Sequence, residues 1–235
     1  MRRGHTPTLR LLVLSLLLPG LSPAQEGLEG QMARAQQLES LGRYQEAASL
    51  YEDLARRAGP SPALLNSLGV VYARMGKYSE AIAAYRRGLE IEPDSVPLLA
   101  NLGLAYFKHG DFQQAIAPLA RAAAADPKNS RIRTLLAMAH YGAGNFAEAS
   151  REFEKLVAAE PGDSTLNFLL AQSYLWSGQY EKVIQTFESL LRHHPDSAAA
   201  HMLMGQAYDG LDRTELAIRE FEAAATAAPN GPDVH

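Results

Sequence analysis

The chain has 235 residues, 22 lysines and arginines against 26 acids for a net charge of −4, and no cysteine. That balance excludes a body that attracts phosphate backbones or anionic lipids, and no long basic run offsets it. The missing cysteine excludes disulfides and a cysteine-linked lipid anchor, and says nothing about compartment. Ala and Leu are abundant while Val and Thr are scarce, which favours helix over sheet.

The first element is a leader. Arg2, Arg3 and Arg10 precede an almost unbroken apolar run, Leu11 to Leu18, with no acid among them. Pro19 and Gly20 break the run, and Ser22-Pro23-Ala24 puts small residues where a signal peptidase cuts. This order predicts a signal peptide over 1–24 and an exported chain, periplasmic or secreted; the alternative is an uncleaved N-terminal anchor. The apolar run is short against the roughly 20 residues of a membrane span. Cleavage removes three arginines and no acid, so the remaining body is more acidic and has no membrane segment.

From residue 28 onward the sequence repeats itself. Bulky residues recur at Tyr51, Tyr85, Leu119, Phe153, Phe187 and Phe221, each 34 positions after the last. Small residues keep the same beat at Ala47, Ala81, Ala115, Ala149, Val183 and Ala217. So do the aromatics Tyr44, Tyr78, Phe112, Phe146 and Tyr180, and the prolines Pro93, Pro127, Pro161, Pro195 and Pro229. The frame divides the body into 28–61, 62–95, 96–129, 130–163, 164–197 and 198–231. In the second unit Ser61 is placed to cap a helix and Pro62 fits its first turn. Leu65, Leu68, Gly69 and Tyr72 then follow on one helical face. Gly76-Lys77 breaks that helix, and a second is expected from near Ser79, with Ala81, Ile82, Tyr85, Gly88 and Leu89 inward, until Pro93 stops it.

These residues resemble the signature of the tetratricopeptide repeat (TPR) family. The second unit supplies Leu68, Gly69, Tyr72, Ala81, Tyr85 and Pro93; the third supplies Leu102, Gly103, Tyr106, Ala115, Ala122 and Pro127; the sixth supplies Gly205, Tyr208, Ala217, Phe221, Ala224 and Pro229. The resemblance implies an all-α, right-handed superhelical solenoid of six antiparallel helix hairpins. Several units depart from it. The first carries Arg34, Ala35 and Leu38 at the leucine, glycine and tyrosine places, as suits a terminal unit whose outer face meets water. The third has Pro118 inside its second helix, which removes a hydrogen bond and crowds the carbonyl of Gln114, at about 3 kcal/mol in an ordinary helix; a kink is expected there. The fourth has Ala137 and His140 for glycine and tyrosine. The sixth loses its turn glycine and aromatic, reading Leu211-Asp212-Arg213-Thr214. Residues 232–235 open a seventh unit in the same frame, so either the last hairpin frays or the chain is cut from a longer one.

In the TPR family the first helices of the hairpins line a concave groove. Carried over position by position, that groove falls on Asn66, Val70, Ala73 and Arg74 in the second unit. In the third it falls on Ala100, Asn101, Leu104, Phe107 and Lys108, and in the fourth on Arg131, Thr134, Met138 and Tyr141. The fifth contributes Phe168, Gln172, Leu175 and Trp176; the sixth contributes Met202, Gln206 and Asp209. The peptide-binding candidates are Asn66, Arg74, Asn101, Phe107, Lys108, Arg131, Tyr141, Phe168 and Trp176. The aromatics are either exposed anchors or packing between hairpins. Asn101 and Arg131 match two positions of the family's carboxylate clamp, but Val70 and Leu135 stand where it needs asparagine and a base, so a full clamp is not expected.

The implied function is a non-enzymatic scaffold that holds a protein or peptide partner in its groove, with no cofactor and no nucleic acid. The histidines His5, His109, His140, His193, His194, His201 and His235 form no metal-ligand spacing on one helix face, and no phosphate loop or nucleophile elbow is present. Two alternatives stand beside this reading. The array self-associates through its last unit, or it is the binding part of a longer protein whose catalytic portion is absent from this sequence.

Overall fold

The computed structural model describes residues 27–191 and 197–227. The signal peptide expected over 1–24, His193 to Pro195, Pro229 and the start of a seventh unit at 232–235 lie outside the described residues.

Twelve α-helices run through the described residues, paired as six hairpins. The first helices of the pairs are α1 (Leu28–Ser40), α3 (Pro62–Arg74), α5 (Val96–His109), α7 (Ser130–Gly142), α9 (Ser164–Trp176) and α11 (Ala198–Gly210). The second helices are α2 (Tyr44–Ala58), α4 (Tyr78–Ile91), α6 (Phe112–Ala125), α8 (Phe146–Ala159), α10 (Tyr180–Leu191) and α12 (Thr214–Ala227). Within each set, successive helices begin 34 residues apart. The all-helical solenoid expected from the sequence is the fold observed. Helix α4 begins at Tyr78, one residue ahead of the expected Ser79.

Local chemistry sets the ends. Ser61, Asn129 and Asp163 each accept a hydrogen bond from a backbone N–H of the first turn they precede, satisfying donors that no helical carbonyl reaches. Inside each hairpin the chain reverses through one left-handed residue: Gly42, Gly76, Gly110, Gly144 and Gly178 have φ between +72° and +93°. The residue after each sends its N–H five positions back, as from Lys77 to Tyr72 at 2.9 Å and from Asn145 to His140 at 2.9 Å. The sixth hairpin makes the same turn without glycine. Asp212 takes φ +58°, and Arg213 N donates to Tyr208 O at 2.9 Å. Backbone hydrogen bonding thus dictates the turn, and an aspartate tolerates the cost.

Packing follows the two strongest columns. Ala47, Ala81, Ala115, Ala149 and Val183 are fully buried, as are Tyr51, Leu119 and Phe153; Tyr85 and Phe187 are nearly so. Small residues there let the two helices of a hairpin approach, and the large ones fill the space that remains. Pro118 is buried within α6, which runs as one helix from Phe112 to Ala125. Arg34 is exposed on the outer hairpin. The core divides into three clusters, and α7 belongs to two of them. Its Ile132, Leu136 and Ala139 pack with α4 to α6, while its Ala137 and Tyr141 pack with α8 to α11. The first helices lie side by side, α3 against α5, α5 against α7 and α9 against α11.

Candidate peptide groove

One edge of the candidate groove forms where the last turn of one first helix meets the start of the previous hairpin's second helix. Gly142 shows how close that meeting is. A Cβ placed on it would lie 2.7 Å from Phe112, and one on Gly210 would lie 2.5 Å from Tyr180. The same register in the fifth hairpin carries Trp176, whose indole is 6.2 Å from the Phe146 ring and 61% exposed. In the second and third hairpins it carries Arg74 and Lys108. One column therefore places two cations and the single tryptophan along one face.

The cations converge. Arg74, Asn101, Lys108 and Arg131 line one cavity of about 390 Å³, whose walls include Val70, Ala73, Tyr78, Tyr85 and Leu104. A neighbouring cavity of about 380 Å³ shares Asn101, Leu104 and Arg131 and is bounded by Val96, Asp126, Ile132 and Leu135. Arg74, Lys108 and Arg131 are exposed, and no carboxylate pairs with them among the described residues. Asn66 lies behind them, its Oδ1 accepting from Asn101 Nδ2 at 2.9 Å. That bond orients the Asn101 carboxamide at the cavity floor.

The aromatics form a second group. Phe107 meets Phe112 edge-on at 5.2 Å, and Tyr141 meets Phe146 edge-on at 5.3 Å. Both first-helix rings are half-buried, and Tyr141 Oη donates to Gln172 Oε1 at 3.4 Å. Phe168 is half-buried against the cluster of α7 to α11. Trp176 stands out from this group with its indole open to solvent. Of the sequence candidates, the structure unites Asn66, Arg74, Asn101, Lys108 and Arg131 at one end. Tyr141 and Trp176 join through Phe146 at the other, and Phe107 pairs with Phe112. Tyr78, Phe112 and Phe146 were not among the candidates. Their signal is the aromatic column at 34-residue spacing, a column that also belongs to the repeat frame.

The opposite face carries polar ties between hairpins. Tyr72 Oη donates to Glu52, and Tyr174 Oη donates to Glu154 Oε1 at 2.7 Å. Burial, reinforced by the Glu52 bond, pushes the Tyr72 phenol up to about 12, and burial with the Glu154 bond raises Tyr174 likewise. The hydrogen bonds from Tyr174 and Lys182 hold the Glu154 carboxyl below its usual range. At the same register in the fourth hairpin stands His140, and Ala120 holds the sequence position that corresponds to the two glutamates. The Nδ1 of His140 is buried without a partner, and burial lowers its pKa. Nearby, Arg133 Nη1 donates to Glu152 Oε2 at 2.8 Å and Lys155 Nζ to Glu152 Oε1 at 2.6 Å. Burial alone would raise Glu152, and these two cations hold it lower instead.

One further chain of side chains bears on chemistry. Ser79 Oγ lies 3.3 Å from His109 Nε2, and His109 Nδ1 lies 2.9 Å from Asp111 Oδ2. Serine, histidine and aspartate in that order can activate a nucleophile. All three lie toward solvent, and their contacts tie the start of α4 to the α5–α6 turn. Among the described residues no three His, Asp or Glu side chains gather to hold a metal ion, and no helix is long and apolar enough to cross a membrane.

Family models described as tetratricopeptide repeat match residues 32–96, and in overlapping windows 72–139, 106–173, 140–207 and 177–235. A search of curated proteins finds no match. Among solved structures, the chain resembles the C-terminal part of a TPR repeat-containing protein from Cytophaga hutchinsonii, with a TM-score of 0.63 at 20% identity over 84% of this chain and 79% of that one. The MamA protein gives a TM-score of 0.61 at 21% identity over 74% and 98% of the two chains. A tetratricopeptide repeat protein from Parabacteroides merdae gives 0.60 at 18% identity over 85% and 79%. At these identities the likeness is one of fold.

Proposed function

Since the chain belongs to the tetratricopeptide repeat family, whose members are in general protein-interaction scaffolds, we propose that it holds a segment of a partner protein in the groove of its second to fifth hairpins. The observation that carries this is the gathering of Arg74, Asn101, Lys108 and Arg131 from three successive first helices around one cavity, with exposed Trp176 further along the same register. Exposed aromatic and arginine side chains beside preformed concavities are the usual anchors of protein recognition. The rigid hairpins keep those side chains in place before a partner arrives, which limits the ordering cost of binding. The proposed activity needs neither a cofactor nor a catalytic group. Co-purification with the wild-type chain and with Trp176→Ala and Arg131→Glu, read by mass spectrometry, tests it. Partners lost from both variants support the groove; an unchanged set of partners removes it.

The basic leader, apolar run and small-residue site at 22–24 support export, with the scaffold working in the periplasm or outside the cell. Sequencing the N-terminus of the protein from the exporting cell tests this, with Gln25 expected first.

One observation favours a second reading, self-association. Ile218 on α12 is 51% exposed, whereas Ala48, Ser150 and Ile184 at the same register are buried. Leu216 beside it is also exposed. An uncovered face of this kind invites a second copy. Light scattering after size-exclusion chromatography is decisive: a mass that rises with concentration and falls back with Ile218→Glu supports it, and a concentration-independent monomer removes it.

A further inference from the structure

The cation-lined cavity also says what its occupant is made of, and this step rests on the groove reading above. Other concavities on the array set acids beside their cations, as the adjoining one sets Asp126 with Arg131. One sets Arg56 and Arg87 beside Glu52 and Glu80, and another sets Arg151 and Lys155 beside Glu148, Glu152 and Glu154. The cavity of the second to fourth hairpins holds Arg74, Lys108 and Arg131 with no acid in its lining. It does so in a chain that carries more acids than bases. We infer that its occupant is an extended internal segment of a partner protein bearing two or more aspartates or glutamates spaced about three residues apart.

The spacing follows from the helix packing. Arg74 and Lys108 occupy the same register of α3 and α5, which lie side by side. Neighbouring helix axes are about 8–10 Å apart. An extended chain in the polyproline II form advances about 3.1 Å per residue with three residues per turn, so carboxylates three residues apart share one face and match one step between hairpins. A single carboxylate, such as a chain terminus, meets one of these cations and leaves the next unpaired. Between the charges the walls are apolar, with Val70, Ala73 and Leu104 facing the cavity, so the intervening residues of the segment are apolar or small. Because the cations are exposed, attraction begins at a distance, and binding weakens as salt rises.

Random twelve-residue peptides displayed on phage, selected on the full chain and counter-selected on Arg74→Ala/Lys108→Ala/Arg131→Ala, test the inference. The three substituted side chains are exposed, and a matching thermal melt confirms that the variant is folded. The expected pool is enriched in Asp and Glu at spacings of about three and disappears on the variant. A synthetic peptide from that pool loses roughly tenfold in affinity when its acids become amides, a comparison that leaves the protein untouched. An apolar pool that ignores the triple variant but is lost on Trp176→Ala overturns the acidic segment while leaving the groove reading in place. A pool indifferent to both variants, or no pool at all, removes both. Tighter binding of a mixed-sequence single-stranded oligonucleotide than of the acidic peptide overturns the inference. So does an affinity that depends on a free rather than amidated peptide C-terminus.

Discussion

Giving His140 the partner that its register lacks, through His140→Tyr together with Ala120→Glu, should stabilise the array by more than the two changes do singly. Tyr72 donates to Glu52 and Tyr174 to Glu154 across successive hairpins, a separation of 20 residues that His140 and Ala120 share. At present the His140 Nδ1 is buried and unpaired. A buried donor or acceptor left unsatisfied costs about 1–3 kcal/mol, so His140→Tyr alone should gain about 1 kcal/mol. A hydrogen bond to a charged group is worth about 1.5–3 kcal/mol when well shielded. Glu154 is 41% exposed, so the added pair is discounted to about 1 kcal/mol. Glu148 lies nearby and is no obstacle, because Glu80 stands at the same register beside the Tyr72–Glu52 pair. Urea unfolding of wild type, both single variants and the double variant gives the coupling, and the melting temperature of the double variant should rise by about 2–4 °C per kcal/mol. The new carboxylate accepts the bond more strongly when ionised, so its folded pKa is depressed. The coupling is then fully present above the ordinary carboxylate range and fades as the pH falls through the folded value. Additivity within about 0.3–0.5 kcal/mol at pH 7 would refute the register argument.

Other expectations follow from packing and backbone. Phe153→Ala empties a fully buried position between helices and should cost about 3–5 kcal/mol in denaturant unfolding; a loss below about 1 kcal/mol means the site collapses or is misplaced. Asp212→Gly relieves a left-handed residue and should gain about 0.5–1 kcal/mol, and a loss contradicts the turn assignment. Gly205→Ala and Gly103→Ala should behave differently. The new Cβ meets the Phe221 ring at 2.5 Å in one and the branch carbon of Leu119 at 2.4 Å in the other. Ala137 and Ala171 hold the same register opposite Phe153 and Phe187, so the ring has room to shift, and the helix gains about 1 kcal/mol. Gly205→Ala should thus stay within about 1 kcal/mol of wild type, while Gly103→Ala loses about 1–3 kcal/mol. Equal losses contradict this account.

Almost the whole scaffold could be read in advance, because each hairpin's core is specified by residues within one 34-residue unit. The columns at Ala47 and Tyr51 and their successors mark positions whose surroundings repeat, so periodicity alone finds them. What escaped lies between units. Trp176 rests on Phe146, 30 residues earlier, and Asn101 bonds Asn66, 35 earlier; neither separation is visible until hairpins are stacked. Phe112 and Phe146 looked like framework because their column repeats, yet each also supports a groove ring. Asp212 shows the reverse: the missing glycine suggested a degenerate turn, and hydrogen bonding preserved it. Pro118 likewise cost α6 no residues.

Helix α7 is seated in two cores at once, and its two ends reach different parts of the groove. Arg131 at its start faces the cation cavity, and Tyr141 near its end leans on Phe146 and so on the platform under Trp176. A rod held in two sockets cannot tilt at one end without being felt at the other. A ligand that drew Arg131 inward would therefore be expected to change the footing of the tryptophan, and by thermodynamic reciprocity an anchor seated on Trp176 would adjust the cationic end by the same free energy. On the proposed groove reading, the two halves would then act as a two-handed grip, in which the first hand to close sets the span of the second.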